Sequence, residues 1–392
     1  MREGWQSKAL ADLCETFTDG DWVESKDQAA EGIRLIQTGN VGEGIFKDRP
    51  EKARYISKET FEHLRCTEIF DGDCLVSRLP DPVGRSCVLR NTGERMITAV
   101  DCTIIRFYPQ QLRSTFFCYY SQSDQYLKAV AKVCTGTTRN RISRSNLGLI
   151  PIPVPPLPEQ QRIVALLDEA FAGLATAKAN AEQNLQNARA IFESRLQAIF
   201  SRRGVGWVEK GLSEVCTLIN GRAYKKDEML ASGKYPLLRV GNFFSNRDWY
   251  YSDLELDADK YCDNGDLLYA WSASFGPRIW EGDKVIYHYH IWKVIPNNSL
   301  VDKRFLLYLL EWDVDQIKLA HGTGTTMMHV SKGSMESRVV PIPPLHLQSG
   351  IVSQLDSLKI ETQSLTRIYD RKLAALEELK KSLLHQAFNG DL

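Results

Sequence analysis

The hydrophobic pattern alternates between two kinds of segment, and each kind occurs twice along the chain. Residues 1–150 and 204–340 contain short apolar or aromatic runs separated by Gly, Asn, Asp and Pro. Period-two runs of this composition predict strands, and they cover 33–40, 73–78, 102–109, 235–242, 266–271 and 285–296. Helices are predicted around 114–132 and 302–320. Both regions are therefore predicted to be mixed globules in which sheet dominates.

The second kind of segment predicts a long helix. Residues 159–200 and 348–388 lack proline and contain one glycine each, Gly173 and Gly350. Each stretch follows a proline-rich run, and proline is tolerated only before a helix or in its first turn. The apolar residues recur at a spacing of three and four, which makes a narrow seam that must pack on another helix. Asn389-Gly390 is the predicted end of the second helix.

An internal repeat relates the two halves of the chain. Residues 153–168 align without gaps to 341–356, with nine identities in sixteen positions, whereas average composition gives about one. The same offset of 188 aligns Gln160 with Gln348, Asp168 with Asp356, Phe200 with Phe388, and TGTT at 135–138 with TGTT at 323–326. The chain is therefore predicted to be one globule-plus-helix unit written twice.

Two equivalent helices in one chain are expected to pair with each other, because tandem copies can associate about a pseudo-two-fold axis as homodimers do. The predicted fold class is α+β, with two sheet-rich globules in tandem separated by two long helices that form an antiparallel coiled coil. The predicted boundaries are 1–152 for the first globule, 153–203 for the proline run and central helix, 204–340 for the second globule, and 341–392 for the proline run and C-terminal helix.

Composition narrows the class of protein. Lys+Arg and Asp+Glu both number 49, so the formal charge of zero excludes a globally basic polyelectrolyte but not local basic patches. The sequence contains no run of about 20 apolar residues, so no membrane span is predicted. The start of the chain lacks the apolar core of a signal peptide. The nine cysteines include no C-x-x-C pair, which disfavours a disulfide framework or a zinc site. We therefore expect a cytoplasmic protein that does not contact membranes.

Motifs of catalysis and metal binding are mostly absent from the sequence. It contains no G-x-x-x-x-G-K-[ST], H-E-x-x-H or G-x-S-x-G motif. His288 and His290 alternate along the predicted strand 285–296, where we expect them to face one side of a sheet rather than to bind a metal. No catalytic, cofactor-binding or metal-ligating residue is predicted.

Candidate DNA-contacting residues lie in two pairs of loops that keep their frame while their side chains change. Arginine suits guanine, asparagine suits adenine, and hydroxyl or backbone N–H groups suit phosphate. The loops before the proline runs contribute Thr137, Thr138, Arg139, Asn140, Arg141 and Arg144 in the first copy, and Thr325, Thr326, His329 and Lys332 in the second. The loops after the Gly-Asp turns contribute Arg78 and Arg85, and Trp271, Ser272, Ser274 and Arg278. A third, weaker pair is 37–40 and 239–242. Solvated loops with a purely structural role are the alternative for the first two pairs, and a glycine that serves a turn is the favoured alternative for the third.

Three segments resemble the specificity (S) subunit of type I restriction-modification systems. They are PIPVPPLPEQQRIVALLDEAF at 151–171, PIPPLHLQSGIVSQLD at 341–356 and LLHQAFNGDL at 383–392, and GDLLYAWSASFGPRIW at 265–280 resembles the target-recognition domains of that family. The resemblance implies that each globule is a target-recognition domain that reads one half of a split site in double-stranded DNA. It also implies that the helices fix the gap between the half-sites and dock methyltransferase subunits.

The resemblance places the cofactors in partner subunits. Two methyltransferase (M) subunits would bring S-adenosylmethionine and methylate adenine, and restriction (R) subunits would use ATP and Mg to translocate and cut DNA. This chain would then be non-catalytic and hold no cofactor. Because the globules differ in length and loop chemistry, we expect an asymmetric site. From the residues alone, two other classes stay open: a coiled-coil scaffold with protein-binding globules, and an enzyme with an unrecognised site.

Overall fold

The computed structural model describes residues 4–136, 140–245, 247–272, 274–321 and 329–392, and side chains within them except those of 274, 320 and 321. The strands of the first globule are β1 (Gln6–Ala9), β2 (Cys14–Asp19), β3 (Gln28–Ala29), β4 (Ile33–Ile36), β5 (Tyr55–Ile56), β6 (Glu68–Ile69), β7 (Cys74–Ser77), β8 (Ser86–Val88), β9 (Met96–Thr98), β10 (Cys102–Phe107) and β11 (Pro151–Val154). Its helices are α1 (Lys58–Leu64), α2 (Ser114–Tyr120), α3 (Asp124–Val133) and α4 (Arg144–Gly148). The long helix α5 (Leu157–Arg202) follows.

The second globule follows a similar order, without a counterpart of β3 or α1 among its described residues. Its strands are β12 (Val208–Gly211), β13 (Cys216–Asn220), β14 (Tyr235–Leu238), β15 (Tyr250–Ser252), β16 (Tyr261–Cys262), β17 (Leu267–Ser272), β18 (Ser274–Ile279), β19 (Val285–Tyr287), β20 (Ile291–Pro296) and β21 (Val339–Ile342). Its helices are α6 (Leu212–Val215), α7 (Val240–Phe244), α8 (Lys303–His321) and α9 (Lys332–Glu336), and the long helix α10 (Leu345–Asn389) follows.

The globules contain corresponding sheets, although the mixed sheet has five strands in the first globule and four in the second. An antiparallel sheet has the order β2-β10-β7-β8 in the first globule and β13-β20-β17-β18 in the second. A mixed sheet has the order β3-β5-β4-β9-β6 or β15-β14-β19-β16, and its parallel pair is β4 with β9 or β14 with β19. The first strand of each globule pairs with the strand that leads into its long helix, β1 with β11 and β12 with β21.

The chain divides into two compact units, and each unit contains parts of both long helices. The first unit is Met1–Glu182 with Arg371–Leu392, and the second is Gln183–Asp370. In the first unit, Arg162 donates to the Leu392 carbonyl (2.6 Å) and Lys178 pairs with Glu377 (2.6 Å). Because the position on α5 rises as the position on α10 falls, the helices are antiparallel there.

The second unit shows the same antiparallel pairing. Arg195 donates to the Gln354 side chain (2.9 Å), and the Lys359 ammonium lies 5.3 Å from the Phe192 ring centre. The predicted fold class, with sheet-rich globules in tandem and two long helices that pack together, is therefore confirmed. The predicted end of the second helix is also confirmed, because α10 ends at Asn389 and Gly390 follows with a positive φ of 85°.

The core of each globule includes the beginning of one long helix and the end of the other. In the first unit, Ile163 and Leu167 of α5 and Phe388 of α10 join the buried cluster. In the second unit, Val352 of α10 and Phe200 of α5 do so. The aligned phenylalanines thus occupy matching places. Within the described residues, no helix is long and apolar enough to cross a membrane.

Two sequence-based element predictions were wrong in detail. The helix expected around 114–132 is divided into α2 and α3, because Ser123 accepts from the Tyr126 backbone N–H (3.3 Å) and starts a new helix. The strand expected over 285–296 is divided into β19 and β20, which belong to different sheets. His288 and His290 therefore lie in the connection between two sheets, not along one strand.

Truncating either helix-end phenylalanine is expected to unfold its own unit preferentially. Phe200→Ala and Phe388→Ala each remove a buried ring, which costs about 3–5 kcal/mol in a well-packed core. Ile368→Ala on α10 is the control, because Ile368 is 52% exposed. Denaturant unfolding measures the decrease in the free energy of unfolding. Hydrogen exchange should locate the destabilisation in the second unit for Phe200→Ala and in the first unit for Phe388→Ala. Losses no larger than that of Ile368→Ala contradict the prediction.

Candidate nucleic-acid interface

A crossover from the mixed sheet to the antiparallel sheet occurs at the same place in each globule. Residues 99–101 connect β9 to β10, and residues 288–290 connect β19 to β20. A glycine packs against each crossover. A Cβ on Gly20 would lie 2.4 Å from the Thr98 and Ala99 carbonyl oxygens, and a Cβ on Gly221 would lie 2.4 Å from that of His288. Only glycine fits at these positions, so the backbone of the crossover is fixed by close approach.

Main-chain hydrogen bonds join three loops at this crossover. In the first globule, the Arg78 N–H donates to the Asp101 carbonyl (2.9 Å), and the Ile142 N–H donates to the Arg78 carbonyl (3.2 Å). We call the place where these loops meet the three-loop site. It brings together residues 78–79, the crossover, and the loop before α4.

The second globule has the same three-loop site with the same bonds. The Trp271 N–H donates to the His290 carbonyl (3.1 Å), and the Val330 N–H donates to the Trp271 carbonyl (3.4 Å). The bonds make three pairs of positions equivalent: Arg78 with Trp271, Asp101 with His290, and Arg141 with His329. The frame is constant and each of the three side chains differs.

Arginines and aspartates form the three-loop site of the first globule. Arg141 pairs with Asp101 (3.1 Å), and Asp19 lies 3.4 Å from Arg78 and 3.9 Å from Arg144. The side chains of Arg141 and Arg144 are 49% and 45% exposed. A guanidinium has five N–H donors, so one carboxylate holds it in place and leaves donors for a ligand. The site therefore presents oriented donors to hydrogen-bond acceptors such as guanine edges or phosphates.

Aromatic rings form the three-loop site of the second globule. The Trp271 ring lies 5.0 Å from His290 and 6.0 Å from His329 and Tyr289, and its indole N–H donates to the Tyr289 carbonyl (2.8 Å). On its other side it stacks on Trp292 (5.8 Å). This surface is suited to apolar and stacking contacts with a nucleic acid.

A basic cavity of about 480 Å³ lies beside the aromatic site. It is lined by Arg239, Val240, Gly241, Asn242, Arg247, Asp248, Tyr250, His288 and His290. Burial, reinforced by the neighbouring His290 and Arg239, lowers the pKa of His288 to about 4. Burial, then the nearby His329 and Arg239, also lowers the pKa of His290. Both imidazoles are therefore neutral at pH 7, and the arginines supply the positive charge.

Two predicted DNA contacts are bound to the protein backbone. The buried Arg85 donates to the carbonyls of Thr38 (2.7 Å), Val41 (2.7 Å), Leu79 (2.7 Å) and Pro82 (3.0 Å). Arg278 donates to the Phe243 carbonyl (2.5 Å). Arg85 thus holds the segment 37–40 through Thr38, and Arg278 holds helix α7, which overlaps the segment 239–242. We leave both arginines out of the proposed contact set.

The remaining predicted residues lie on the surface, in the core, or outside the described residues. Asn140 is exposed, Lys332 pairs with Glu336 (3.6 Å), and Ser272 is buried beside His329. Arg78 is also buried and donates to the Val100 carbonyl (2.5 Å), so its side chain is left out of the proposed contact set as well, and position 78 contributes its main chain to the frame. Outside the described residues lie Thr137, Thr138, Arg139, Thr325, Thr326, Met327 and Met328, together with the side chain of Ser274.

Sequence reasoning missed several residues of these surfaces. Asp19 and Asp101 orient the arginines, although the loop 135–146 itself contains no acid. Trp22 is 69% exposed and follows Asp21, which pairs with Ala99 at the crossover. Among the described residues, no group of three His, Cys, Asp or Glu is placed to hold a metal ion.

Two copies of one frame that carry different side chains define a tandem-domain recognition protein. The chain belongs to the family of the type I restriction modification DNA specificity domain, whose family model matches residues 2–186 and 204–372. The two globules are therefore the target-recognition domains that the sequence resemblance implied.

Relatives and solved structures agree with this family. The chain is 22% identical to the putative type I restriction enzyme MjaX specificity subunit of Methanocaldococcus jannaschii, over all of this chain and 94% of that protein. It is 26% identical to the type I restriction enzyme EcoKI specificity subunit of Escherichia coli K12, over 74% of this chain and 68% of that protein.

The fold matches the HsdS subunit from Thermoanaerobacter tengcongensis with a TM-score of 0.64 at 19% identity, over all of this chain and 98% of that one. A chain from a structure that describes complex assembly and conformational transition of the type I R-M system gives a TM-score of 0.84 at 18% identity. That match covers all of this chain and 99% of the other.

Acid is expected to destabilise the second globule through His288. Its folded pKa of about 4 lies below the ordinary value of 6.5, so between these values the unfolded chain binds a proton that the native chain does not. Stability from this group is full above about pH 6.5 and is lost as pH falls towards 4. His288→Gln should flatten the decline of melting temperature over this window, whereas the exposed His346→Gln should leave it unchanged. Equal slopes in all three proteins rule out His288 as the cause.

Proposed function

We propose that this chain is the DNA-reading subunit of a type I restriction-modification complex, and that each globule reads one half of a split duplex site through its three-loop site. The proposal rests on one observation: both globules have the same main-chain frame, but their side chains differ at the equivalent positions 78/271, 101/290 and 141/329. A recognition surface needs a fixed backbone and variable side chains, and a purely structural loop has no need of oriented, half-exposed arginines.

The two half-sites should differ because the two sites offer different chemistry. The first site presents arginine donors, which pair with the O6 and N7 acceptors of guanine. The second presents a tryptophan and histidines beside an arginine-lined cavity. Aromatic rings suit the thymine methyl group and sugar surfaces, and Arg239 and Arg247 suit phosphates. The complete site is therefore asymmetric and bipartite.

Catalysis belongs to partner subunits in this proposal. Two M subunits carry S-adenosylmethionine and methylate adenine in the recognised site, and R subunits use ATP and Mg to translocate and cleave DNA. The present chain is non-catalytic, works in the cytoplasm, and uses its paired helices to set the gap between half-sites. The solved chain with the TM-score of 0.84 comes from a study of type I complex assembly, which supports a role for this chain in a complex with partner subunits.

Exchange of globules tests the bipartite reading directly. We expect cells that carry this chain and its M subunits to methylate adenines in an asymmetric split motif, as measured by long-read sequencing. Replacing residues 204–340 with a second copy of the first globule should make the motif palindromic, with both halves equal to the first. The reverse replacement should give the other palindrome. A motif that is unchanged by both replacements contradicts the proposal.

Single arginine replacements test the first three-loop site. Arg141→Ala should weaken binding to the complete motif by about 1–3 kcal/mol, or roughly five- to 150-fold, because a bidentate base contact is lost. For a duplex in which the first half-site is scrambled, Arg141→Ala and the wild-type chain should bind with equal affinity. The control is Arg95→Ala, since Arg95 is 50% exposed and pairs with Glu68 in the same globule. Equal losses for Arg141→Ala and Arg95→Ala would remove Arg141 from the interface.

A further inference from the structure

A buried glutamine fastens each long helix to the globule in which that helix begins. In the first unit, the Gln160 amide donates to the carbonyls of Gln111 (2.9 Å) and Pro155 (2.8 Å). Its carbonyl oxygen accepts from the Arg113 backbone N–H (3.0 Å). The side chain is fully buried, so these bonds replace the hydration that the amide loses on folding.

The second unit repeats this arrangement group by group. The Gln348 amide donates to the carbonyls of Leu300 (2.9 Å) and Pro343 (3.1 Å), and its oxygen accepts from the Asp302 N–H (2.7 Å). Gln348 is also fully buried. In both units the glutamine thus ties the first turn of the helix to the proline run before it and to the segment that follows the last long strand.

A second contact lies about two helical turns further along each helix. The Tyr119 hydroxyl donates to Asp168 in the first unit, and the Tyr308 hydroxyl donates to Asp356 (2.5 Å) in the second. Eight residues separate the glutamine from the aspartate in both helices, which is about 12 Å at 1.5 Å per residue. One contact alone would permit rotation about a point, whereas two contacts this far apart fix the angle between helix and globule.

We propose that these glutamine and tyrosine–aspartate contacts form a joint that sets the angle at which each globule meets its helix, and thereby restricts the gap between the half-sites. The inference rests on the proposed bipartite function. Gln160, Gln348, Tyr119 and Tyr308 are positioning residues, because they act through the placement of the three-loop sites. A globule of about 150 residues has a radius of gyration near 15 Å. A point at that distance from the axis of rotation moves by about 3.4 Å, the rise of one base pair, when the globule rotates by about 13°.

The repeat supports a role in positioning. The two copies carry different side chains in their three-loop sites. Both copies nevertheless have the glutamine and the aspartate, with hydrogen bonds to equivalent partners. The buried glutamine contacts are satisfied and directional, so they favour one angle, whereas apolar packing alone tolerates sliding. A joint of this kind suits a protein that changes the bases it reads while it keeps the spacing between them.

The test measures tolerance of the gap in the complete complex. Wild-type chain with its M subunits defines the motif and its gap, and methylation is then compared on duplexes with that gap and with one base pair more or fewer. Gln160→Ala and Gln348→Ala should raise methylation at the altered gaps, relative to the native gap, by about tenfold, equivalent to about 1.4 kcal/mol. The matched controls are Gln186→Ala and Ser349→Ala, which change exposed residues on the same helices.

Tyr119→Phe and Tyr308→Phe keep the test decisive if the alanine variants do not accumulate. They remove one hydroxyl and keep the packed ring, and they should raise the same ratio by about threefold. Joint variants that lower methylation equally at all gaps, or that keep the wild-type ratio, overturn the inference, since both outcomes describe a structural role only. A wild-type complex without any split motif would instead refute the proposed function.

Discussion

The burial of helix ends in the globule cores is the interaction on which the rest of the structure depends. Phe388 packs edge-on against Phe116 (5.4 Å) and Tyr120 (5.1 Å), and Phe200 stacks on Trp312 (5.4 Å). Each core is therefore closed by residues from both long helices. Because Phe388 lies more than 260 residues after Tyr120 in the chain, the first unit completes its core only after almost all of the chain is made. Each copy has its own sheets, but its core is completed by a helix end that belongs to the other copy.

Much of the fold follows from short-range signals in the sequence. Proline runs, uninterrupted three/four spacing and Asn389-Gly390 define the long helices, and the aligned Gln160 and Gln348 reveal the duplication. The strand expected at 285–296 fails because its two ends pair in different sheets, and alternation of apolar residues cannot report a change of sheet. The close approach of Gly221 to the crossover enforces that change, and it joins residues about 67 positions apart.

The candidate site is less predictable than the fold, because burial decides what a charged side chain does. Arg85 and Arg141 are both arginines in loops between turns, and the sequence assigns them the same role. In the structure Arg85 is enclosed by backbone carbonyls and Arg141 is half exposed beside Asp101. Burying a guanidinium is unfavourable unless its donors are satisfied, so four carbonyls around Arg85 make it part of the scaffold. Only the tertiary structure supplies those carbonyls.

The three-loop site combines a constant frame with different side chains because the bonds that the two copies share there are main-chain bonds. An N–H donor is present in every residue except proline, so the bonds from Arg78 and Trp271 to the crossover carbonyl form equally well with either side chain. The residue at this position can change from a cation to an indole without loss of the frame. Side chains are needed elsewhere, at the glutamine and tyrosine–aspartate contacts, and there the two copies are alike. Main-chain hydrogen bonds thus hold the site whose side chains differ between the copies, and side-chain hydrogen bonds hold the contacts that are alike in both. This division lets one fold form two different surfaces in a single chain.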